Sequence, residues 1–575
     1  MSIYFYKVKL ASCLTISFIV IILFFTQFVS ADNSIVICKQ VDPWEKVFRE
    51  SSVFHEFNKP AEVAKGECAT YQFVVYSKSE NLTDIRVHID TLEDKRGHRL
   101  SSFEWGFVGY VGVNHLAQSP ADDSYLPNSH KLPDPIIEVP TMNAPKGTPL
   151  AVVISVAVPE NAQDGLYSSS VTISYSVNKK LTKVKKIIQL RVYPIKLIPT
   201  NYGVANQCSF DSWKKSYDKG WNIVAPYSSE WYKSIEETCR KLKSCNTNCI
   251  LISPIEFTHI TKHGQTYQFD FQVFDSLLSI CQRHGVLKYL EGGHLAKRSK
   301  GWESNFLVCM PKISNTNEPE SYLPITNRSV KDFYFQFLPV LSRHIAQKFP
   351  HVIYYQHVAD EPIDANAASY LQILNTFKSF CPKMKFMDAC QTTLIGDQLD
   401  LNVPMLSFYH QHYFYYRRLQ NIGKPVWFYT CWIPQFNYAN RFIELPLLKV
   451  RIIHWLCFKY GAKGYLHWGF NRWVGNPYTE TTQREGNSIL PGGDSWIVYP
   501  SKSGKIFGSL RLLAMRDGIN DYYLLEMLYK KDPKMATRIC NRIVYDWTLY
   551  NLNTNYFYKV RHLLLQTLIK EMYNC

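Results

Sequence analysis

The chain has 575 residues and a formal net charge of +16 at pH 7, with 46% hydrophobic and 19% charged residues. This length allows two or three domains, and the composition excludes an intrinsically disordered chain because a large core can be buried. The densest basic run, residues 179–186, lies between two strand-like segments, and no helix-turn-helix, zinc-finger or RNA-binding motif accompanies it. We therefore expect no nucleic-acid partner.

The first 31 residues are typical of a targeting segment. Lys7 and Lys9 precede an apolar run over residues 10–29, and residues 29–31 (Val-Ser-Ala) match a small-residue cleavage site. We predict a signal peptide over residues 1–31, although a run of roughly 20 apolar residues also suits an uncleaved membrane anchor. A cleaved segment predicts a secreted or lumenal protein, and an uncleaved one predicts a signal-anchored membrane protein. Both place the rest of the chain in the secretory lumen or outside the cell, and glycosylation sequons at Asn81 and Asn327 fit that location.

Cysteine usage leaves two alternatives open. The chain has 15 cysteines, and in an oxidising compartment some of them should pair, while others can remain as buried thiols. Cys239, Cys245 and Cys249 lie close together, but no nearby histidine completes a zinc-binding spacing. We predict no structural zinc from this cluster.

Residues 32–200 predict an N-terminal antiparallel β-sandwich. Runs of β-branched and aromatic residues recur there, Gly and Pro separate them, and a helical period is absent. The clearest strand-like runs are residues 70–76, 85–89, 150–157, 170–176 and 186–192. This segment has no pattern typical of catalysis, so we expect it to bind a ligand or to support a catalytic neighbour.

Strands and helices alternate over residues 201–475, which indicates parallel strands with crossover helices. The predicted strands are residues 204–208, 249–252, 287–290, 352–355, 386–389, 405–409, 426–429 and 464–468. Eight such units in one segment predict a (β/α)8 TIM barrel with catalytic function. Residues 476–575 predict a loop-rich stretch and then helices, a C-terminal extension that we expect to pack on the barrel.

The fourth predicted strand leads into two adjacent carboxylates, Asp360 and Glu361, followed by Pro362. Residues 352–355 (Val-Ile-Tyr-Tyr) favour a pleated strand, and proline cannot continue a strand ladder. Active sites of (β/α)8 barrels lie at the carboxyl ends of the strands, so we predict that Asp360 and Glu361 are catalytic. The alternative is a surface turn, for which Asp-Glu-Pro is a common sequence.

Adjacency restricts what this pair can do. The usual retaining pair of a glycosidase has carboxyls about 5–5.5 Å apart on opposite sides of the scissile bond. Consecutive strand side chains point to opposite faces, so Asp360 and Glu361 cannot flank the bond in that way. Glu361 can still protonate a leaving oxygen as general acid, while Asp360 orients a nucleophile that the substrate carries. Two carboxylates close together raise the pKa of one of them, so a protonated Glu361 beside an ionised Asp360 is electrostatically reasonable. Substrate-assisted hydrolysis of 2-acetamido sugars follows this logic.

Other polar and aromatic residues, among them Glu291 and Asp388, also follow the predicted strands and are expected to converge on the pair. Two histidines, His294 and His357, are candidate substrate contacts rather than metal ligands, since no His-x-x-x-His pair accompanies them; core packing is the alternative. We predict no metal. The remaining predicted substrate contacts are Tyr409, Tyr429, Trp432, Trp468 and Asn471. The tryptophans can form an apolar wall for a sugar face, or they can be core residues.

Several motifs resemble glycoside hydrolase family 123, the retaining β-N-acetylgalactosaminidases. Residues 357–362 (His-Val-Ala-Asp-Glu-Pro) resemble its catalytic strand, which is similar to the His-x-Gly-Gly-Asp-Glu of family 20 hexosaminidases, although Ala359 replaces a glycine. The stretches 159–167, 467–473, 493–500 and 509–522 resemble the family's N-terminal domain and C-terminal signature. The resemblance covers nearly all of the chain after residue 31.

The resemblance implies an exo-acting β-N-acetylgalactosaminidase that releases terminal GalNAc from glycolipids or glycoproteins. It implies Glu361 as general acid/base, Asp360 as the residue that orients the acetamido group, an oxazoline intermediate and no cofactor. Two alternatives remain open at this point. One is a hydrolase of another glycan, such as a β-GlcNAc-terminated one, and the other is a secreted carbohydrate-binding protein with an inactive barrel.

Overall fold

The structure, a computed structural model, describes residues 36–210, 224–317, 319–486 and 488–573. The predicted signal peptide, residues 1–31, lies outside the described residues. Within these described ranges, no helix is both long and apolar enough to cross a membrane.

The N-terminal region forms two β-sheets. Its strands are β1 (Val36–Val41), β2 (Ala61–Lys65), β3 (Cys68–Ser77), β4 (Leu82–Ile89), β5 (Leu92–Asp94), β6 (Arg99–Leu100), β7 (Phe103–Gly112), β8 (Lys131–Ile137), β9 (Met142–Ala144), β10 (Leu150–Ala157), β11 (Gly165–Val177) and β12 (Lys180–Lys196). One sheet has the order β1-β3-β10-β7-β8, and the other has β2-β12-β11-β4-β9, with β5 beside β11 and β6 beside β5. The pairing is antiparallel as predicted, except that β2 runs parallel to β12.

The two sheets share one hydrophobic core. Phe73 and Val152 of the first sheet and Ile173 and Leu190 of the second belong to the same buried cluster. Side chains of the second half of β12 alternate between the core and solvent, and the outward ones are mostly polar, with Ile187 as an exposed exception. Strand β12 ends at Lys196 and the next strand begins at Gly203, on either side of the predicted domain boundary.

The central region alternates between strands and helices. Its elements are β13 (Gly203–Asn206), α1 (Ser229–Ser244), β14 (Cys249–Leu251), β15 (His259–His263), β16 (Thr266–Asp270), α2 (Gln272–Arg283), β17 (Tyr289–Gly292), β18 (Ala296–Arg298), β19 (Phe306–Met310), β20 (Ser321–Leu323), α3 (Arg328–Lys348), β21 (Ile353–Gln356), α4 (Ala367–Phe380), β22 (Met387–Cys390), β23 (Leu401–Pro404), α5 (Leu406–Gln411), α6 (Tyr413–Asn421), β24 (Phe428–Tyr429), α7 (Leu447–Tyr460) and β25 (Gly464–His467).

Parallel strands dominate this region. Six of the described strands form a sheet in the order β21-β17-β14-β13-β25-β24, and β22 pairs with β23 in a second, two-stranded parallel sheet. Single parallel bridges connect the two sheets, Gln356 to Phe386 at one end and Asn402 to Val426 at the other. All these strands therefore direct their carboxyl ends to one side, which we call the carboxyl face.

One predicted strand is wrong. The sixth strand comprises Leu401–Pro404, whereas residues 405–409, which were predicted as a strand, begin a helix, α5. Pro404 ends the strand, since proline has no N–H for the ladder. The segment between β22 and β23, residues 391–400, contains no helix, so the alternation is not complete.

The C-terminal region is helical, as predicted, and follows two short hairpins. Its elements are β26 (Gln483–Glu485), β27 (Ser488–Leu490), β28 (Tyr499–Pro500), β29 (Ile506–Phe507), α8 (Leu510–Lys531), α9 (Pro533–Cys540) and α10 (Thr554–Tyr573). Helix α8 lies against α7 and also reaches the N-terminal sheets. Arg511 of α8 forms a fully buried ion pair with Asp134 of β8, 2.8 Å between Nη2 and Oδ2. The three regions therefore share buried polar contacts.

The cysteines of the described residues carry free thiols, and most of them are buried. The Sγ atoms of Cys239 and Cys281 lie 3.7 Å apart, well beyond the length of a disulfide bond. Of the two alternatives that the sequence left open, the described residues show buried thiols.

Candidate active site

The turn that carries the two carboxylates is held by backbone contacts. The backbone N–H groups of Leu295 and Ala296 donate to the carbonyl oxygen of Val358 over 3.1 and 2.8 Å. Glu361 then adopts a φ of 43°, which is uncommon for a residue other than glycine. Arg298 Nη2 donates to the carbonyl oxygen of Glu361 over 2.6 Å. Strained backbone of this kind concentrates at functional sites, so the turn marks the pair as a candidate site.

The carboxyl of Glu361 is partly shielded and hydrogen bonded. The hydroxyl of Tyr429, at the end of β24, donates to its Oε1. Burial, and then the charge of neighbouring Asp360, raise the pKa of Glu361 to about 7. A carboxylic acid with this pKa can give up a proton near neutral pH and recover it, which is what a general acid/base requires.

Asp360 has a different environment. Its side chain is 60% exposed, and its Oδ1 lies 3.9 Å from Nε2 of His294. The carboxylate is therefore accessible from the carboxyl face while Glu361 beside it is shielded. The two neighbouring acids differ in solvation, and such a difference separates their chemical roles.

Beneath the pair lies a cluster of Glu291, His357 and Asp388, which we call the buried array. Nδ1 of His357 is 2.7 Å from Oδ1 of Asp388, and its Nε2 is 3.0 Å from Oε2 of Glu291. The array joins the ends of β17 and β22 to the segment after β21. Because both ring nitrogens face carboxylates, the ring orientation is fixed.

Additional donors saturate the two carboxylates of the array. Asp388 accepts the backbone N–H of Val358 over 2.9 Å and the hydroxyl of Tyr370. Glu291 accepts from Gln207 over 2.8 Å and from the thiol of Cys249 over 3.1 Å. Buried charges are tolerated only when they are paired and hydrogen bonded in this way.

The array also sets the local charge. Burial opposes the cationic form of His357, but hydrogen bonds to Asp388 and Glu291 raise its pKa to about 10. Burial likewise opposes ionisation of Glu291, yet His357 lowers the pKa of that carboxyl below its usual range. For His294, burial and then the His357 cation lower the pKa, so this ring is neutral at neutral pH. Between Asp388 and Asp360, His294 is a neutral polar group.

Potential metal ligands meet at one point. One ligand atom each from His294, His357 and Asp388 lies within 4.8 Å of the others. The His357 and Asp388 atoms already bond each other, and the other His357 nitrogen faces Glu291. These contacts describe a hydrogen-bonded cluster, and the absence of a metal stays a prediction.

Two of the predicted aromatic contacts lie near the site. Trp432 and Trp468 are partly buried and pack on the same inner cluster as Tyr429. The indole N–H of Trp468 donates to Oδ1 of Asp494, a fully buried residue of the C-terminal region, over 3.2 Å. The C-terminal region thus orients one of the side chains predicted to line the site.

Three predicted contacts do not fit their places in the structure. One is His357, which is buried within the array. Tyr409 is fully buried on α5, and its hydroxyl donates to the carbonyl oxygen of Tyr460 over 2.7 Å. This follows from the misplaced sixth strand, because a helical residue does not share the direction of the strand ends. Asn471 is also fully buried, and its amide pairs with the backbone N–H and C=O of Ser209 over 2.8 and 3.0 Å. Like His357, the side chains of Tyr409 and Asn471 have structural partners instead of access to a ligand.

Several functional neighbours escaped the sequence reasoning. Arg298 lies in an inserted hairpin with no motif, and Asp494 comes from the loop-rich stretch after the last strand. Tyr370 is buried on α4, where it resembles any core aromatic residue. The array members lie at the ends of predicted strands, whereas these three residues do not.

Family models match both main parts of the chain. The model of the glycoside hydrolase 123 catalytic domain matches residues 217–528, and the model of the glycoside hydrolase 123 N-terminal domain matches residues 50–175. The chain belongs to glycoside hydrolase family 123. This confirms the resemblance seen in the motifs and makes the protein a glycosidase.

A solved structure supports the same fold for this glycosidase. It is similar to a family 123 glycoside hydrolase from Clostridium perfringens, studied for glycolipid glycan hydrolysis, with a TM-score of 0.70 and 14% identity over 94% of this chain and 98% of that one. A β-D-glucuronidase of Dictyoglomus thermophilum matches with a TM-score of 0.32 and 11% identity over 80% of this chain and 67% of that one. That score is too low to inform the fold. A comparison with curated protein sequences found no match.

Proposed function

We propose that this family 123 glycosidase is an exo-acting β-N-acetylgalactosaminidase that releases terminal GalNAc from glycolipid or glycoprotein glycans. The observation that carries the proposal is the contrast within one turn between shielded Glu361, with its pKa raised to about 7, and exposed Asp360. Neighbouring carboxylates of this kind suit a reaction in which the substrate supplies its own nucleophile.

In the proposed mechanism, the acetamido carbonyl oxygen of the substrate attacks C1 while the bond from C1 to the leaving oxygen breaks. Glu361 transfers its proton to that oxygen, and Asp360 accepts a hydrogen bond from the acetamido N–H and stabilises the positive charge that develops. Ionised Glu361 then takes a proton from water as the water opens the oxazoline. Because C1 is inverted twice, the released sugar keeps its β configuration.

We also propose that the parallel strands close into a (β/α)8 barrel. The two single bridges between the sheets, from Gln356 to Phe386 and from Asn402 to Val426, support closure at both seams. In a closed barrel, residues from several strands converge on one face, as Glu291, His357 and Asp388 do here.

For the location of the protein, we propose the secretory lumen or the cell exterior. The apolar run at residues 10–29 and the two sequons support this. Asn81 is exposed, and Asn327 lies at the start of α3, where its Oδ1 accepts the backbone N–H of Ser329 over 2.9 Å. Its amide nitrogen, the atom that carries an N-linked glycan, is not the capping atom.

A panel of 4-nitrophenyl β-glycosides of GalNAc, GlcNAc and galactose tests the proposal. We expect fast release of nitrophenol from the GalNAc compound and none above background from the galactoside, which lacks the acetamido group. Comparable turnover of the galactoside would contradict substrate assistance. Preference for GlcNAc would reassign the sugar, and binding of all three without turnover would favour the carbohydrate-binding alternative.

A further inference from the structure

An inserted hairpin covers one side of the candidate site. Strands β18 and β19 form it between β17 and α3, and Ala296 of β18 forms a parallel bridge with Ala359, directly before the carboxylate pair. The loop between the two strands, residues 299–305, contains Trp302, whose side chain is 50% exposed. Trp302 therefore has aromatic surface that a ligand can reach beside the turn of the carboxylate pair.

Trp302 is held in place by several contacts despite its exposure. Its carbonyl oxygen accepts hydrogen bonds from Nε of Arg298 over 2.8 Å and from Nδ2 of Asn366 over 3.1 Å. The guanidinium carbon of Arg298 lies 3.8 Å from the centroid of the indole ring, a cation–π contact. One face of the indole is thus occupied by Arg298, and the exposed surface of the ring remains open to a ligand.

Arg298 links this indole to the proposed acid. The same guanidinium donates through Nη2 to the carbonyl oxygen of Glu361 over 2.6 Å. The Arg298 guanidinium therefore contacts both the indole of Trp302 and the backbone of Glu361, which places Trp302 beside the turn of the carboxylate pair. A general acid delivers its proton to the leaving oxygen, so the leaving part of the substrate lies on the side of Glu361.

We infer that Trp302 is the platform of a leaving-group subsite, where it packs against the C–H face of the sugar to which the terminal residue is attached. This inference rests on the proposed function and extends it to the substrate class: a glycan whose penultimate unit is a pyranose. An indole fixed in place suits this task because it provides apolar area at little cost in conformational entropy.

The experiment compares two substrates that differ in the leaving group. One is a disaccharide with β-linked GalNAc on galactose, and the other is N-acetyl-β-galactosaminyl fluoride, whose leaving group has no ring to stack. For Trp302→Ala we expect kcat/KM on the disaccharide to fall about tenfold, the effect of losing one aromatic contact. Turnover of the fluoride should stay at the wild-type level, and Trp302→Phe should retain most activity on the disaccharide.

Controls separate this role from a structural one. Phe414→Ala removes an 88% exposed aromatic side chain on α6 and should change neither substrate. Thermal melting of each variant reports whether the hairpin still folds. Equal losses on both substrates would overturn the inference, because the effect would then not depend on the leaving group. Fluoride departs with little help from an acid, so the pH profile of the disaccharide reaction tests whether Trp302 acts by positioning Glu361. An alkaline limb displaced in Trp302→Ala would overturn the inference, and an unchanged limb is expected. No loss on the disaccharide would also overturn it. Failure of the wild type to cleave either compound would instead contradict the proposed function and remove the basis of the subsite.

Discussion

Two clusters of buried charge in this molecule can be compared directly. One is the buried array of Glu291, His357 and Asp388 at the carboxyl face. The other, which we call the docking network, comprises Arg451, Asp521, Arg561 and Glu67, where α7, α8 and α10 meet the N-terminal sheets. In the docking network, Arg561 lies 2.9 Å from Asp521 and 2.6 Å from Glu67, and Arg451 lies 2.6 Å from Asp521.

The two clusters differ in their charge balance. The docking network has two cations and two anions, and all four side chains are buried. The array has two carboxylates and one imidazolium, and it continues through His294 to Asp360, which is 60% exposed. A balanced network holds domains together, whereas an array that ends in an accessible carboxylate can act on a ligand. The predictions below test this distinction.

The largest effect is expected for Glu361→Gln. The amide cannot protonate the leaving oxygen, so kcat/KM for a β-GalNAc disaccharide should fall by roughly 10²–10⁴-fold, the usual worth of a general acid. Steady-state hydrolysis, followed by release of GalNAc, measures it. Full activity of this variant would contradict the assignment of Glu361.

Asp360→Asn should have the next largest effect. The substitution keeps the shape but removes the charge that orients and stabilises the attacking acetamido group, so kcat should fall by roughly 10²-fold. The array should remain intact, since Asp360 is exposed, and the melting temperature should match that of the wild type. A variant with unchanged kcat would show that the array does not extend functionally to Asp360.

The pH dependence gives a smaller effect of known sign. Glu361 must be protonated to act as acid, and its pKa is about 7, so kcat/KM should fall above neutral pH, about tenfold per pH unit. Asp360 raises this pKa and the Tyr429 hydroxyl lowers it. The alkaline limb should therefore move to lower pH in Asp360→Asn and to higher pH in Tyr429→Phe. Shifts in the same direction would contradict the electrostatic account.

The smallest effect on catalysis is expected in the docking network. Arg561→Met leaves Glu67 without its buried cation and removes one of the two arginines that pair with Asp521. This should lower the free energy of unfolding by about 3–5 kcal/mol. The folded variant should keep the wild-type kcat. Arg328→Met, which removes a 95% exposed arginine, serves as a matched control and should change stability little. A large loss of kcat in Arg561→Met would break the distinction between the two clusters.

The sequence predicts most of the frame of this site. Runs of β-branched residues identify the parallel strands, and Asp360-Glu361-Pro362 identifies where the fourth one leads. Glu291, His357 and Asp388 were expected to converge because they follow strands. That they bond one another, with His357 between two carboxylates, depends on side-chain geometry that no spacing reveals.

The errors have physical causes. The largely apolar run at residues 405–409 is compatible with a strand locally. However, Pro404 ends the strand before it and the run folds as a helix, which places Tyr409 in the core. Arg298 and Trp302 belong to an inserted hairpin, and insertions follow no repeat of the fold. The sequence left disulfides and buried thiols as alternatives. The expected oxidising compartment favoured disulfides, but the spacing of the cysteines did not identify any pair.

Substrate assistance is the central claim, and inhibition by a thiazoline derived from GalNAc tests it most directly. This bicyclic compound mimics the oxazoline but cannot be opened as readily. We predict competitive inhibition with an inhibition constant far below the KM of the β-GalNAc substrate, and much weaker inhibition of Asp360→Asn. Failure of the thiazoline to inhibit an active wild-type enzyme would contradict the mechanism.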